Sequence, residues 1–224
     1  MSSTPEAQAE RSVTASLIIP AYNEAARIGR VLEVASDSGL FDEIIVVDDA
    51  SSDGTAQAAG NYECEVLVHE VNRGKAQAML TGIKHSRGAI LTFIDADLLG
   101  VTTRHLEQLV TPVGAGKERA VLAVFSGGRA ATTLAQKITP MISGQRCLER
   151  KLLANFDGWD TRFGIETALN DHIIKQGIKQ HIVSWHGAAQ VMKEEKRGCL
   201  AGLWARAQMY WEILVAWLRS KLSS

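Results

Sequence analysis

The sequence predicts an α/β fold built on a mostly parallel sheet with helices on both faces. Short apolar, partly β-branched runs occur at residues 16–20, 43–48, 65–69 and 89–95, and a late strand is expected at 179–187. Runs of this kind are typical of strands buried on both faces, as in parallel sheets. Because helical stretches separate them, right-handed crossovers and a helix layer on each face are expected.

The stretches outside these strands are mostly helical. Apolar residues recur at helical spacing from Ala25, and residues 75–86 have the same character. Farther along, a loop followed by a helix is expected over 126–153, and another helix from about Ile165. The last stretch, 200–222, has one apolar helical stripe that suits core packing, a homodimer seam or peripheral contact with a membrane surface.

Composition places the chain among globular proteins. Its 224 residues are 46% hydrophobic and 22% charged, which suits one domain. The predicted divisions are a flexible polar tail at 1–14, a strand-rich half at 15–126, a second half of the same domain at 127–198, and the C-terminal amphipathic helix at 199–224. The tail lacks the apolar segment of a signal peptide, and no run reaches the roughly 18 apolar residues of a membrane span.

Charge and cysteine content exclude several classes of function. The formal net charge of −1 gives no reason to expect a nucleic-acid partner. Cys64, Cys147 and Cys199 are scattered without CxxC spacing, so neither a disulfide framework nor a zinc cluster is expected. A reducing compartment follows, and we expect a cytoplasmic location or one at the inner face of the membrane.

Polar residues follow each of the first four predicted strands. They are the segments "AYNE" at 21–24, "DDASSDGT" at 48–55, "EVNRGK" at 70–75 and "DAD" at 95–97. Ligands of open α/β sheets bind beyond the carboxyl ends of the strands, so these segments are expected to share one crevice.

The strongest chemical signal is the pair Asp95 and Asp97. Residues two apart on a strand point the same way, so both carboxylates could hold one cation, although they could also only solvate a strand end. Mg²⁺ or Mn²⁺ bound by two carboxylates would be completed by substrate phosphates, as on a nucleotide diphosphate. A haloacid-dehalogenase-like phosphatase is disfavoured, because in that family the Asp-x-Asp motif follows the first strand, whereas here it follows the fourth. Walker and Rossmann glycine motifs are absent.

Four ordered segments, "SLIIPAYNEAARIGRVLE", "EIIVVDDASSDGTA", "NRGKAQAMLTGI" and "GAILTFIDADL", resemble family 2 nucleotide-sugar glycosyltransferases of the GT-A fold. The resemblance covers residues 16 to about 110. It implies that 15–126 binds the nucleotide sugar, that 127–198 binds the acceptor, and that a hexose is transferred with the help of Mg²⁺ or Mn²⁺. The residues it implies for the donor nucleotide are Pro20, Ala21, Tyr22, Glu24, Asp49, Gly74, Lys75 and Asp95. Asp95 and Asp97 are the implied metal ligands, and Asp97 is also assigned a catalytic role.

The acceptor half departs from the family pattern. Glu166 matches the acid of a Glu-Asp pair, but Thr167 replaces the aspartate that serves as base in many inverting members. Either Glu166 takes the catalytic role, or the acceptor is already an anion, such as a phosphate with a second pKa of about 6. "GIET" with a late "WHG" resembles polyprenyl-phosphate sugar synthases and glucosyl- or mannosyl-3-phosphoglycerate synthases. The latter resemblance implies His186 as a third metal ligand.

Two glycine-containing segments supply the predicted acceptor-anion contacts. They are "SGGR", ending at Arg129, and "SGQR", which contains Gly144 and Arg146. Glycine allows a ligand to approach the backbone, and arginine binds phosphate or carboxylate through two N–H groups. The expected acceptor is therefore a small or lipid-linked, phosphorylated molecule. One alternative is a sugar nucleotidylyltransferase, but that class begins with a Gly-rich loop and the segment "PAYNE" does not match it. The other alternative is a non-catalytic nucleotide-sugar-binding module.

Overall fold

The computed structural model describes residues 13–126, 143–161 and 164–190, and within these it contains a seven-stranded sheet and a two-stranded sheet. The strands are β1 Ala15–Ala21, β2 Glu43–Asp48, β3 Glu65–Val68, β4 Ile90–Phe93, β5 Leu98–Leu99, β6 Ala120–Ser126, β7 Arg146–Glu149, β8 His181–His186 and β9 Ala189–Gln190. The α-helices are α1 Ile28–Ser38, α2 Thr55–Ala59, α3 Lys75–His85, α4 Thr103–Gly114 and α5 Ile165–Lys175. Two 3₁₀ helices span Arg150–Leu153 and Gly158–Asp160.

The large sheet has the strand order β3-β2-β1-β4-β7-β6-β8. β7 is antiparallel to both of its neighbours, and the other six strands run in one direction. The small sheet pairs β5 with β9 in antiparallel fashion. The mostly parallel α/β sheet predicted from the sequence is thus confirmed, and the carboxyl ends of β1, β2, β3 and β4 lie along one edge.

The central strand β1 is buried along its whole length and separates two apolar layers. Alternate residues of a strand point to opposite faces, so Leu17 packs with α1 and α4 while Ile18 packs with α3 and α5. Gly82 of α3 lies so close to the sheet that an added Cβ would be 2.4 Å from Ile18 Cγ2. This close packing places the start of α3 directly beside the carboxyl ends of the strands.

The prediction of a loop followed by a helix over 126–153 is wrong at residues 146–149. These residues form β7, which pairs with β4 on one side and β6 on the other, and only the single 3₁₀ turn Arg150–Leu153 follows. Cross-strand pairing with two neighbours outweighs local helical propensity here. β6 and α4 were not anticipated from the sequence, and α1 begins at Ile28 rather than at Ala25.

Parts of several predictions fall on residues outside the described ranges. These are most of the polar tail, the segment 127–142 with Arg129, and the C-terminal stripe at 200–222. Within the ranges that are described, no helix has the length and apolar character needed to cross a bilayer.

Candidate active site

The two aspartates of the "DAD" segment lie in the turn that connects β4 to β5. Asp95 is 8% and Asp97 is 4% exposed, so both carboxyl groups are withdrawn from bulk solvent. They stand at the edge of the sheet where β1 and β2 also end, as the sequence predicted. Two carboxylates buried side by side repel each other, and a nearby cation reduces this repulsion.

Lys75 supplies such a cation and joins the two halves of the site. Its Nζ lies 2.6 Å from Asp95 Oδ1 and 2.7 Å from Glu166 Oε1. Lys75 is the first residue of α3 and Glu166 lies in the first turn of α5, so the two helix starts face each other across the end of β4. Asp95, which is predicted to bind the donor, and Glu166, which is predicted to act on the acceptor, therefore contact the same ammonium group. The Lys75 side chain is one-third exposed.

The charges of this group perturb one another. Burial alone would lower the pKa of Lys75, but the two carboxylates outweigh it and raise that pKa, so the ammonium is charged at neutral pH. Burial would raise the pKa of Glu166, yet the ion pair with Lys75 holds it below its ordinary value. For Asp95, burial together with the neighbouring Asp97 raises the pKa in spite of Lys75. Three carboxyl groups thus surround the ammonium of Lys75, and the Arg146 guanidinium is a second positive charge that acts on Glu166 and Asp95.

Gly144 crosses directly over the ion pair. A Cβ at this position would lie 2.7 Å from Lys75 Nζ and 2.9 and 3.0 Å from the two carboxylate oxygens of Asp95. Such distances are shorter than van der Waals contact, so a side chain would displace the ammonium. The predicted acceptor-side glycine therefore borders the same centre as the aspartates. Because it has no side chain, the ammonium and the carboxylate can lie beside it.

The neighbouring Gln145 is a site residue that the sequence analysis missed. Its Nε2 donates a 3.0 Å hydrogen bond to Asp95 Oδ2, on the other oxygen from the one that Lys75 contacts. The side chain is 1% exposed. No sequence signal singled it out, because a neutral amide belongs to none of the motifs that identified the site.

Arg146 is buried and makes its hydrogen bonds within the protein. It is 1% exposed, and its guanidinium donates to the Ser143 carbonyl at 2.7 Å, to Asn170 Oδ1 at 3.2 Å and to the Glu166 carbonyl at 3.5 Å. Burial lowers its pKa to about 10. These internal bonds give Arg146 the structural role of joining the 143–146 segment to α5, and the predicted acceptor contact stays a prediction.

The predicted base-binding residues at the end of β1 line the same edge. Pro20 and Ala21 are the last residues of β1, in register with Val47 and Asp48 of β2. Tyr22 follows with 44% of its surface exposed, so its ring is available to a ligand. Glu24 is 7% exposed, and its backbone N–H donates to Thr55 Oγ1 at 2.8 Å.

Asp49 organises the turn that leads into α3. Its carboxylate accepts hydrogen bonds from the backbone N–H groups of Arg73 at 2.8 Å and Gly74 at 2.7 Å, and from His69 Nδ1 at 2.7 Å. Gly74 has a φ of 89°, which favours glycine and sets the direction in which α3 begins. The predicted contact of Asp49 with the nucleotide stays a prediction, since the structure shows both of its oxygens bound within the protein.

His69 is a second residue that sequence reasoning missed. It is 8% exposed at the end of β3, and its Nε2 lies 2.9 Å from Thr81 Oγ1 of α3. The imidazole therefore links Asp49 to α3 with both of its nitrogens used. A signal was present, since "LVH" places a polar residue at a strand end, but only the three-dimensional contact explains it.

The predicted third metal ligand, His186, lies at the end of β8 with an exposed side chain. Its Nδ1 is 2.9 Å from Ser126 Oγ of β6. Across residues 13–126, 143–161 and 164–190, no three side chains of His, Cys, Asp or Glu form a group that could hold a metal. Its participation therefore stays a prediction, and Arg129 lies outside the described residues.

The crevice lies within a segment that matches a known protein family. Residues 16–174 match the model of Glycosyl transferase family 2, a segment that contains every described site residue except His186. The chain belongs to glycosyl transferase family 2. The resemblance seen in the sequence motifs is thereby confirmed.

Curated members of the family share part of the chain. A dolichyl-phosphate β-glucosyltransferase of Trichomonas vaginalis is 37% identical over 99 residues, covering 38% of this chain and 29% of that protein. A glucosyl-3-phosphoglycerate synthase of Mycolicibacterium paratuberculosis is 29% identical over 148 residues, covering 58% of this chain and 45% of that protein. The matched segments thus span less than half the length of either relative.

Solved structures agree with the observed architecture over most of the chain. Glucosyl-3-phosphoglycerate synthase of Mycobacterium tuberculosis, crystallised with Mn²⁺ and UDP-glucose, superposes with a TM-score of 0.74 at 26% identity. The similarity covers 94% of this chain and 81% of that one. The same enzyme with Mn²⁺, UDP and phosphoglyceric acid gives a TM-score of 0.67 at 27% identity, covering 82% and 72%. The GT-A fold predicted from the sequence is therefore confirmed.

Proposed function

We propose that this chain is a metal-dependent glycosyltransferase that moves a hexose from a nucleotide diphosphate sugar to a phosphorylated acceptor. The observation that carries the proposal is the ion-pair bridge formed by Lys75. Its ammonium group contacts both Asp95 of the donor half and Glu166 of the acceptor half. A transferase needs its leaving group and its nucleophile in one place. UDP-glucose and 3-phosphoglycerate are the favoured substrates, because the structural relatives bind UDP-glucose and phosphoglyceric acid.

The residues at the end of β4 suit a hard divalent cation. Carboxylate oxygens are the ligands that Mg²⁺ and Mn²⁺ prefer, and Asp95 and Asp97 present two carboxyl groups in a buried setting. The space beside Asp95 is kept open by Gly144. When bound there, the ion would stabilise the negative charge that develops on the departing diphosphate. We include His186 as its third protein ligand in this proposal.

Lys75 would act on the donor and Glu166 on the acceptor. The Lys75 ammonium would attract the diphosphate oxygens, since it is charged and one-third exposed. As the bond from the sugar to the diphosphate breaks, a bond forms to the acceptor oxygen; a hydroxyl acceptor would pass its proton to Glu166, whereas an ionised phosphate oxygen has no proton to lose. Its lowered pKa makes Glu166 a weak base but keeps it ionised, and therefore able to orient an acceptor hydroxyl.

The remaining site residues complete the proposal. Pro20, Ala21, Tyr22, Glu24 and Asp49 would border the base and ribose, and Gly74 with Lys75 would lie along the base and the phosphates. Arg129 is retained as an acceptor-anion contact. The protein would work in the cytoplasm without a nucleic-acid partner, with the 200–222 stripe providing a homodimer seam or peripheral membrane contact.

A ligand screen followed by a transfer assay tests this function. We expect UDP-hexoses to raise the melting temperature only when Mn²⁺ or Mg²⁺ is present, and GDP-hexoses to have a smaller effect. Mass spectrometry with 3-phosphoglycerate or a short polyprenyl phosphate then identifies the acceptor. The Asp95→Asn/Asp97→Asn double variant is the control and should lose the metal-dependent shift. Stabilisation by no nucleotide sugar, or equal stabilisation of the double variant, would refute the proposal.

A further inference from the structure

Gln145 and Lys75 hold the carboxylate of Asp95 from two sides. Lys75 Nζ contacts Oδ1 at 2.6 Å, and Gln145 Nε2 donates to Oδ2 at 3.0 Å. With a separate donor on each oxygen, the carboxylate cannot rotate about its terminal bond without losing one of the contacts. Two residues from different parts of the chain therefore restrain the orientation of the Asp95 oxygens.

Gln145 is itself held rigidly by the sheet. Its backbone carbonyl accepts a hydrogen bond from the N–H of Ala123 in β6 at 2.9 Å. On the side preceding it, the hydroxyl of Ser143 donates to the carbonyl of Ala123, and on the other side Arg146 begins β7. An amide anchored this way has little freedom to follow a movement of Asp95, so it imposes the position of the carboxylate.

The burial of Gln145 is poorly explained by stability alone. The side chain is 1% exposed, and its Oε1 is buried without a hydrogen-bond partner among the residues that the structure describes. A buried amide oxygen that loses its water and gains no donor is unfavourable, and an apolar side chain of similar size would avoid this loss. The hydrogen bond that its side-chain Nε2 donates goes to Asp95 of the active site, which indicates a role in the site.

We infer that Gln145 is a positioning residue that orients the Asp95 carboxylate toward the divalent cation of the nucleotide diphosphate. This inference rests on the proposed function, because it assumes that Asp95 is a metal ligand. Residues that hydrogen-bond to metal ligands restrict ligand orientation, and their replacement typically weakens metal binding or activity by about 10- to 100-fold. Gln145 would act in this way through Asp95 without touching the metal or the sugar.

The test is the affinity for Mn²⁺ in the presence of UDP, measured by electron paramagnetic resonance of the free ion and without any turnover. Gln145→Met removes the amide at nearly constant volume, and we expect at least about a tenfold higher Kd for Mn²⁺. Gln145→Asn retains an amide but withdraws it by one methylene, so the same weakening is expected. Gln108→Met is the matched control, since Gln108 lies on α4 and its Oε1 is likewise buried without a partner among the described residues. The Kd of this variant for Mn²⁺ should equal that of the wild type.

The outcomes separate this inference from the function on which it rests. If the wild type binds Mn²⁺ with UDP and both Gln145 variants bind within twofold of it, the positioning role is wrong while the proposed function stands. If Gln145→Asn restores wild-type affinity, the amide is only a polar filler, which also overturns the inference. If the wild type binds no Mn²⁺ with UDP, the proposed function itself fails. Should Gln145→Met not fold, Gln145→Asn alone decides between these results.

Discussion

Replacing Lys75 by methionine is the sharpest perturbation of the site. The substitution keeps a long side chain but leaves Asp95 and Glu166 without the ammonium that lies within 2.7 Å of both. Their side chains are only 11% and 18% exposed, so solvent replaces the lost cation poorly. We therefore expect the variant to be less stable than the wild type, in addition to being inactive in transfer.

The size of the loss follows from burial. Removing one partner of a buried ion pair costs about 3–5 kcal/mol. Lys75 is one-third exposed, so part of its interaction is already screened by water, and about 2–3 kcal/mol is the appropriate expectation here. For a chain of this length, 1 kcal/mol corresponds to a change in Tm of about 2–4 °C, so the Tm should fall by roughly 4–12 °C.

The pH dependence of this loss has a definite sign. In the wild type the pKa of Glu166 lies below its ordinary value of 4.5, so its stabilising contribution is present above that pH and is lost on further acidification. Without Lys75 the main opposition to the effect of burial is removed, so we expect the pKa of Glu166 to rise and the variant to become less stable as the carboxyl group ionises. The difference in Tm between the two proteins should therefore be largest near pH 7 and shrink as the pH falls toward 4.

Thermal unfolding followed by circular dichroism between pH 4 and 8 measures this difference. Lys151→Met is the matched control, because Lys151 Nζ is 3.0 Å from Glu149 Oε1 but its side chain is 69% exposed. A surface pair of this kind contributes about 0–1 kcal/mol, so little change is expected. A Lys75→Met loss that equals the control, or one that does not vary with pH, would refute the assignment of Lys75 as the central counter-charge.

Two further substitutions test how the site is built. Gly144→Ala places a Cβ 2.7 Å from Lys75 Nζ, so we expect the ammonium to shift and kcat/KM to fall by about 100-fold. The change in Tm should be small, because the displaced atom ends a flexible side chain. Steady-state assays showing unchanged kcat/KM would contradict this. His69→Leu removes the donor to Asp49, which should cost about 1–3 kcal/mol in denaturant unfolding and raise the donor KM. His69→Asn retains a donor nitrogen and should recover most of the loss, and no recovery would show that the hydrogen bond to Asp49 is not the cause.

Local sequence patterns were sufficient for the first four strands of the sheet and for the place of the site. Apolar runs separated by helical stretches predict a parallel sheet, and in a parallel sheet all strand ends lie at one edge. It follows without coordinates that the segments ending in Ala21, Asp49 and Asp95 approach one another. Lys75 could be included because it follows β3 at short distance along the chain.

The contacts among these residues were decided by tertiary structure. Glu166 is 91 residues from Lys75, and their ion pair depends on how α5 packs against α3. The sequence motifs singled out Arg146 and passed over Gln145, and only the formation of β7 shows which of the two reaches Asp95. As neighbours at the start of a strand, they point in different directions, and the arginine is directed toward α5 while the glutamine reaches Asp95.

The sequence by itself therefore determined the class of fold, the edge at which ligands bind and the acids that characterise it. Tertiary structure decided which side chains reach the centre, since orientation on β7 depends on its antiparallel pairing with β4 and β6. The physical reason is the range of the interactions involved. Periodicity and strand-end chemistry are properties of a few consecutive residues, whereas hydrogen bonds to Asp95 and Asp49 join residues 20 to 50 positions apart, which only packing brings together.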